Sequence, residues 1–127
     1  MGELERINRG ARYALAFVFV YHGLVPKILW LDPLETAWVA NHGIPVPAGV
    51  FALLAGLVEI AVGLSIAWLR RSLTPVYIAA VLLIALLLDA ALFVPATLTG
   101  AFNPVTTNIA ALALCQVIYS SQRAPAR

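Results

Sequence analysis

Residues 48–71 read "AGVFALLAGLVEIAVGLSIAWLRR", and this stretch decides the fold. From 48 to 69 a single ionisable side chain, Glu59, interrupts an otherwise apolar run, which the arginine pair Arg70 and Arg71 brings to a stop. A helix needs about 20 apolar residues to cross the hydrocarbon core of a bilayer, so this run is predicted to span one. The chain as a whole has the same character: 127 residues, 62% hydrophobic, 11% charged, with a mean hydropathy of +0.93. An ordinary soluble domain is about 45–50% apolar. The composition excludes that class and predicts an integral membrane protein.

Working outward, three further runs of sufficient length cover about 12–31, 75–95 and 104–121, again by the measure of about 20 residues. The expected fold is therefore an all-α membrane protein, a four-transmembrane-helix bundle forming one domain over 1–127. The arginines carry its orientation. Arg6, Arg9 and Arg12 precede the first run, Arg70 and Arg71 follow the second, and Arg123 and Arg127 follow the fourth. All fall on one side, the cytoplasm by the positive-inside rule, which predicts a multi-pass membrane protein with both termini inside. The first run offers no small-x-small cleavage site and is expected to stay as an anchor. A net charge of +2 and a pI near 9.0 do not make a nucleic-acid binder when the basic residues flank apolar runs. Cys115 is the lone cysteine, which leaves no disulfide or CxxC pair within the chain.

Local signals mark the boundaries. "LTPVY" sets Thr74 as N-cap with Pro75 at the first helical position, and "FNPVT" repeats the arrangement with Asn103 and Pro104. Between the first two runs, Asp32, Pro33 and Glu35 open a short interfacial helix over 33–41, and Gly43 ends it. Trp30 and Trp38 are expected at the outer headgroup level and Trp68 at the inner one. His42, in the same outer connection, is expected at the surface.

Depth along the runs brings the polar residues together. At about 1.5 Å per residue, His22 and Glu59 fall near mid-membrane, and Lys27, Asp89, Asn103 and Asn108 in its outer half. Gly49, Ala52, Gly56, Glu59 and Gly63 share one helical face, so Glu59 points inward with small residues that admit a neighbouring helix. Pro104, Asn108, Ala111 and Cys115 do the same for Asn108. Asp89 is turned inward by the cost of a carboxylate in lipid, at least about 2.5–3.5 kcal/mol at mid-bilayer. In "YHGLVPK" (21–27), Pro26 has no amide for the carbonyl of His22, which must find another partner. Gly23, one turn before Lys27, leaves room for a backbone or a ligand beside the lysine stem. Lys27 against Glu59 and Asp89 leaves one negative charge in excess, and Glu59, the deeper carboxylate, is expected to hold the balancing proton. Each residue also has a plainer reading: Lys27 snorkelling to headgroups, His22 and Glu59 as hydrogen-bonded core groups, Asn103 as a cap.

"YHGLVPK", "DPLE", "GLVEIAVG" and "AFNP", in this order and spacing, resemble the DoxX-like family of small four-helix bacterial membrane proteins. The resemblance implies a four-helix bundle and marks His22, Gly23, Pro26, Lys27, Glu59, Phe102, Asn103 and Pro104 as pattern residues. The wider group is linked to quinone-coupled oxidoreductases, among them the membrane part of a thiosulfate:quinone oxidoreductase. Some DoxX-like proteins carry a nucleotide-sugar-epimerase-like domain. No G-x-G-x-x-G loop occurs in these 127 residues, so any dehydrogenase chemistry would sit on a soluble oxidoreductase partner.

Three functions stand open on this reading. The first is a quinone-associated or oxidoreductase-partner subunit with a polar pocket in the outer half of the membrane, lined by His22, Lys27, Glu59, Asp89, Asn103 and Asn108. Gly23, Pro26, Gly56, Gly63, Phe102 and Pro104 would shape it. Quinone carbonyls need proton donors on reduction, which these side chains offer; the chain would be enzymatic only as such a membrane subunit. The second is a binder or transporter of a small anion or amphiphile, working as a homo-oligomer because four helices are few for alternating access. The third is a scaffold subunit without a site. No intrinsic cofactor is expected beyond a bound quinone, since two distant histidines make no haem pair and zinc lacks ligands.

Overall fold

The computed structural model describes residues 2–124, and helix is the only regular structure among them. Five α-helices follow in order: α1 Glu3–Leu24, α2 Pro33–Asn41, α3 Ala48–Trp68, α4 Thr74–Phe93 and α5 Pro104–Arg123. A π-helical turn, Val25–Leu29, extends α1, and a 3-10 turn, Pro95–Thr99, leads out of α4. Of the flanking arginines, Arg127 lies outside the described residues. The helices α3 and α4 are each long and apolar enough to cross a membrane. Glu3–Leu29 and Pro33–Asn41 meet that measure only as a pair, bent by 89°. The polar residues of α5, Asn108, Gln116 and Gln122 among them, keep it below the same threshold despite its 20 residues.

Capping chemistry explains where helices begin. Asp32 accepts from the amide of Leu34 at 2.8 Å, with Pro33 at the first position of α2, and Gly43 at φ +62° stops that helix in the left-handed region. Asn103 accepts from Thr106 at 3.0 Å and caps α5 as expected. For α4 the expected cap shifts. Thr74 is already helical and its amide donates to Ser72 Oγ at 3.1 Å, because the tight turn after α3 brings that hydroxyl over the first free amide.

Packing around the bundle runs α3, α1, α5, α4, and α3 and α4 touch each other only sparingly although a short turn joins them. The apolar core gathers Leu15 and Phe19 of α1, Ile66 of α3, Val76, Ala79 and Leu83 of α4, and Ala111 and Ile118 of α5. Ala52 of α3 and Ala90 of α4 are buried toward the other end of the bundle, outside this cluster.

Helix α1 meets α3 through glycines. A Cβ on Gly23 would stand 2.5 Å from the carbonyl oxygen of Gly56, and one on Gly56 would collide in return with the carbonyl of Gly23. Gly63 repeats the closeness two turns on, where a Cβ would stand 2.9 Å from the carbonyl oxygen of Ala16. Only a missing side chain lets the two backbones approach this far, so the space foreseen at Gly23 is occupied by α3 itself.

Arg12 departs from its expected role as a flank. It is 1% exposed, and its guanidinium donates to Asn8 Oδ1 (3.0 Å), the carbonyls of Ile66 (3.0 Å) and Ser72 (2.9 Å), and Gln122 Oε1 (2.6 Å). One side chain thereby ties α1, the end of α3, the α3–α4 turn and α5 together. Five guanidinium donors in a fixed fork suit such divergent acceptors, which an ammonium could not reach at once.

Candidate functional site

Pro26 builds the centre of the site by what it lacks. Its ring removes an amide from the α-helical ladder, and the chain continues as a π turn in which Trp30 donates to the carbonyl of Val25 at 2.9 Å. Lys27 answers the freed carbonyl: its Nζ donates to His22 O at 3.4 Å. The same Nζ lies 3.0 Å from Glu35 Oε1 and 3.2 Å from Glu59 Oε2. The approach to Glu59 is an ion pair without a directed hydrogen bond, and Oε2 is shut off from solvent with no hydrogen-bond donor of its own. Gly56 makes this possible, since any Cβ there would press within 3.2 Å of Lys27 Cβ.

The cluster therefore holds one ammonium and two carboxylates in a nearly closed place: the side chains of Lys27, Glu59 and Glu35 are 11%, 12% and 25% exposed. An excess negative charge in low dielectric costs several kcal/mol unless a proton or a cation joins it. Glu35 is the side chain with most access to water and Glu59 the one that faces the interior.

Asp89 belongs to a second cluster. It accepts from Trp38 Nε1 and lies 2.8 Å from His42 Nε2, while His42 Nδ1 faces the carbonyl of Trp38 at 2.7 Å. The imidazole stacks on Phe93 at 4.0 Å between ring centres, and Asn41 donates to the carbonyl of Phe93 at 3.1 Å. Both ring nitrogens meet acceptors, an arrangement that favours the doubly protonated ring. The hydrogen bond to Asp89, then that to the Trp38 carbonyl, hold the His42 pKa above its ordinary 6.5. His42 and Trp38 are thus bonded to α4 and not simply at the surface.

The foreseen patch accordingly divides. Lys27 and Glu59 meet, whereas Asp89 is drawn away to α2. Asn108 is buried and donates to the carbonyl of Leu83 at 2.9 Å, joining α5 to α4. Asn103 spends both ends of its side chain on the loop and cap, its Nδ2 donating to Gly100 O at 2.9 Å. The His22 side chain lies on the exposed side next to Tyr21 while its carbonyl accepts from Lys27, because a residue one position before Gly23 is turned about 100° around the helix from the face that meets α3. Phe102 is fully exposed and Pro104 starts α5. A cavity of about 1550 Å³ opens at the opposite end, between Glu3, Asn8, Trp68, Arg70 and Gln122. Glu35 is the residue that the sequence pattern assigned to capping alone; its place at Lys27 depends on the fold-back of α2.

Two helices of membrane length in an all-helical bundle, with a largely covered lysine shared by two carboxylates, are what a membrane protein with a polar cluster between its helices presents. Residues 16–116 match the DoxX-like family, and the chain belongs to it. No curated protein and no solved structure matches the chain.

Proposed function

We propose that the chain is a quinone-associated subunit of a membrane oxidoreductase, with Lys27, Glu59 and Glu35 as its ligand and proton site. The carrying observation is one ammonium shared by two carboxylates, with Glu59 Oε2 buried and lacking a directed donor. A quinone takes up two electrons and two protons on reduction, the electrons coming from a soluble oxidoreductase partner. Lys27 Nζ donates to a head-group carbonyl, Glu59 holds a proton on the interior side, and Glu35 exchanges protons with the outer water. The anion reading gains no support here, because Glu35 is a second carboxylate at Lys27 and leaves the ammonium already matched, with no positive charge in excess for an anion.

In this reading all four long helices cross the membrane. Glu3–Leu29 is long enough at about 1.5 Å per residue, and the polar groups of α1 and α5 are met inside the bundle by Arg12, Asn8, Gln122 and Asn108. Both described ends lie in the cytoplasm with Arg70 and Arg71, and Leu54, Leu57 and Leu88 face acyl chains or a second copy.

The test is solvent extraction and mass spectrometry of protein purified from its native membrane in mild detergent, beside the Glu59→Gln and Lys27→Met proteins. About one quinone per chain in the native protein, lost in both variants, is the expected result. No specific small molecule in any of the three removes the quinone reading in favour of a scaffold.

A further inference from the structure

The cluster around His42 lies outside the Lys27 site yet is joined to it by one short helix. α2 packs on α3 and reaches α4 through side chains: Trp38 and His42 to Asp89, the His42 ring on Phe93, and Asn41 to the Phe93 carbonyl. At its other end Glu35 binds Lys27. α2 thus bridges the two helices that hardly touch each other, α3 and α4. Its own apolar anchor is slight, Val39 being its single buried residue. Short non-helical segments flank it, Trp30 to Asp32 before and Gly43, Pro45 and Pro47 after.

We propose that α2 is a strap across the α3–α4 seam, and that the His42–Asp89 contact is a proton-dependent latch governing access to the Lys27–Glu59 pair. This rests on the reading of that pair as the ligand site.

The direction follows from which atoms face the ring. With two protons the imidazole donates to Asp89 and to the Trp38 carbonyl at once; with one proton, a lone pair must face an acceptor. Asp89 is the one charged group facing His42. On α3 the sole ionisable side chain is Glu59, bound to Lys27; on α4 the other is Tyr77, at the far end; Asp32 is occupied at the cap of α2. Since the docked ring binds its proton more tightly than the free one, docking is fully supported below the ordinary pKa of 6.5 and weakens as pH rises through the higher, docked value. Release also carries Glu35 off Lys27, leaving a single ammonium–carboxylate pair open to the outer phase.

Hydrogen–deuterium exchange of the full chain in lipid nanodiscs, expressed as protection relative to unstructured peptide, tests this from about pH 5.5 to about pH 9. Native protein should lose about tenfold protection over 33–42 across that range, the worth of one charge-assisted hydrogen bond, while α3 and α5 stay protected. His42→Gln, and Asp89→Asn as the second variant, should show low protection over 33–42 at every pH. A flat native profile, or a step that persists in His42→Gln, overturns the latch. If neither variant folds, the native profile alone decides. Quinone extraction of the same samples separates the two readings: a pH step without bound quinone supports the latch and removes the quinone, and bound quinone with a flat profile does the reverse.

Discussion

Replacing Gly23 by alanine perturbs one of the two tightest glycine contacts between α1 and α3. The new Cβ would stand 2.5 Å from the Gly56 carbonyl oxygen and 3.0 Å from Glu59 Cβ and Ile60 Cγ1. None of these is the loose end of a flexible side chain, so α1 and α3 must part by roughly 1 Å to reach the 3.4 Å at which ordinary contact begins. Overpacking of this kind costs about 1–3 kcal/mol. The same movement carries Lys27 Nζ from 3.2 Å to beyond ion-pair range of Glu59 Oε2. Gly10→Ala on the same helix is the control: nothing lies within 4 Å of its Cβ, and the change should stabilise by about 0.5–1 kcal/mol through the better helix former. Unfolding of both variants in mixed micelles of rising sodium dodecyl sulfate, followed by circular dichroism, reads the difference. Equal shifts for the two glycines would refute the packing argument.

Other outcomes follow from the same geometry. Arg12→Lys keeps the charge but not the fork, so it should lower stability by about 2–4 kcal/mol in the same assay, as acceptors at Ile66, Ser72 and Gln122 lose their donor. The stability difference between native protein and His42→Gln should be largest in acid and vanish as pH rises well above 6.5, which melting curves across pH will show. For orientation, an impermeant maleimide should label Thr99→Cys from outside intact spheroplasts and Arg71→Cys only in inverted vesicles, while buried Cys115 gives no background.

Much of the fold was legible because its signals are local. Asn103 and Pro104, Asp32 and Pro33, and Gly43 mark helix ends through bonds to residues a few positions away. The small-residue face of α3 is likewise periodic, and Ala52, Gly56, Glu59 and Gly63 are all buried. The carbonyl freed by Pro26 was foreseeable from the missing amide. Less was legible where a partner comes from far along the chain. Asp89 and His42 stand 47 positions apart, and nothing short of the folded outer connection pairs them. Glu35 reaches Lys27 only through the 89° bend. Charge rules place arginines on a side of the membrane without saying which guanidinium turns inward, so Arg12 was counted with the flanks. The outward ring of His22 did have a signal, its offset from the face shared by Gly23 and Lys27.

The order of packing also bears on how the chain is made. Synthesis delivers α1, then α3, and these can pair through their glycines at once. α4 arrives next and finds little of α3 to hold, because its main neighbour is α5. Until α5 leaves the ribosome, α4 has mostly lipid beside it, and Arg12 lacks Gln122 while Asn8 lacks the carbonyl of Ile118. α5 thus closes the ring and supplies three of the first helix's polar contacts, so a bundle without it leaves Asn8 and Arg12 short of those partners.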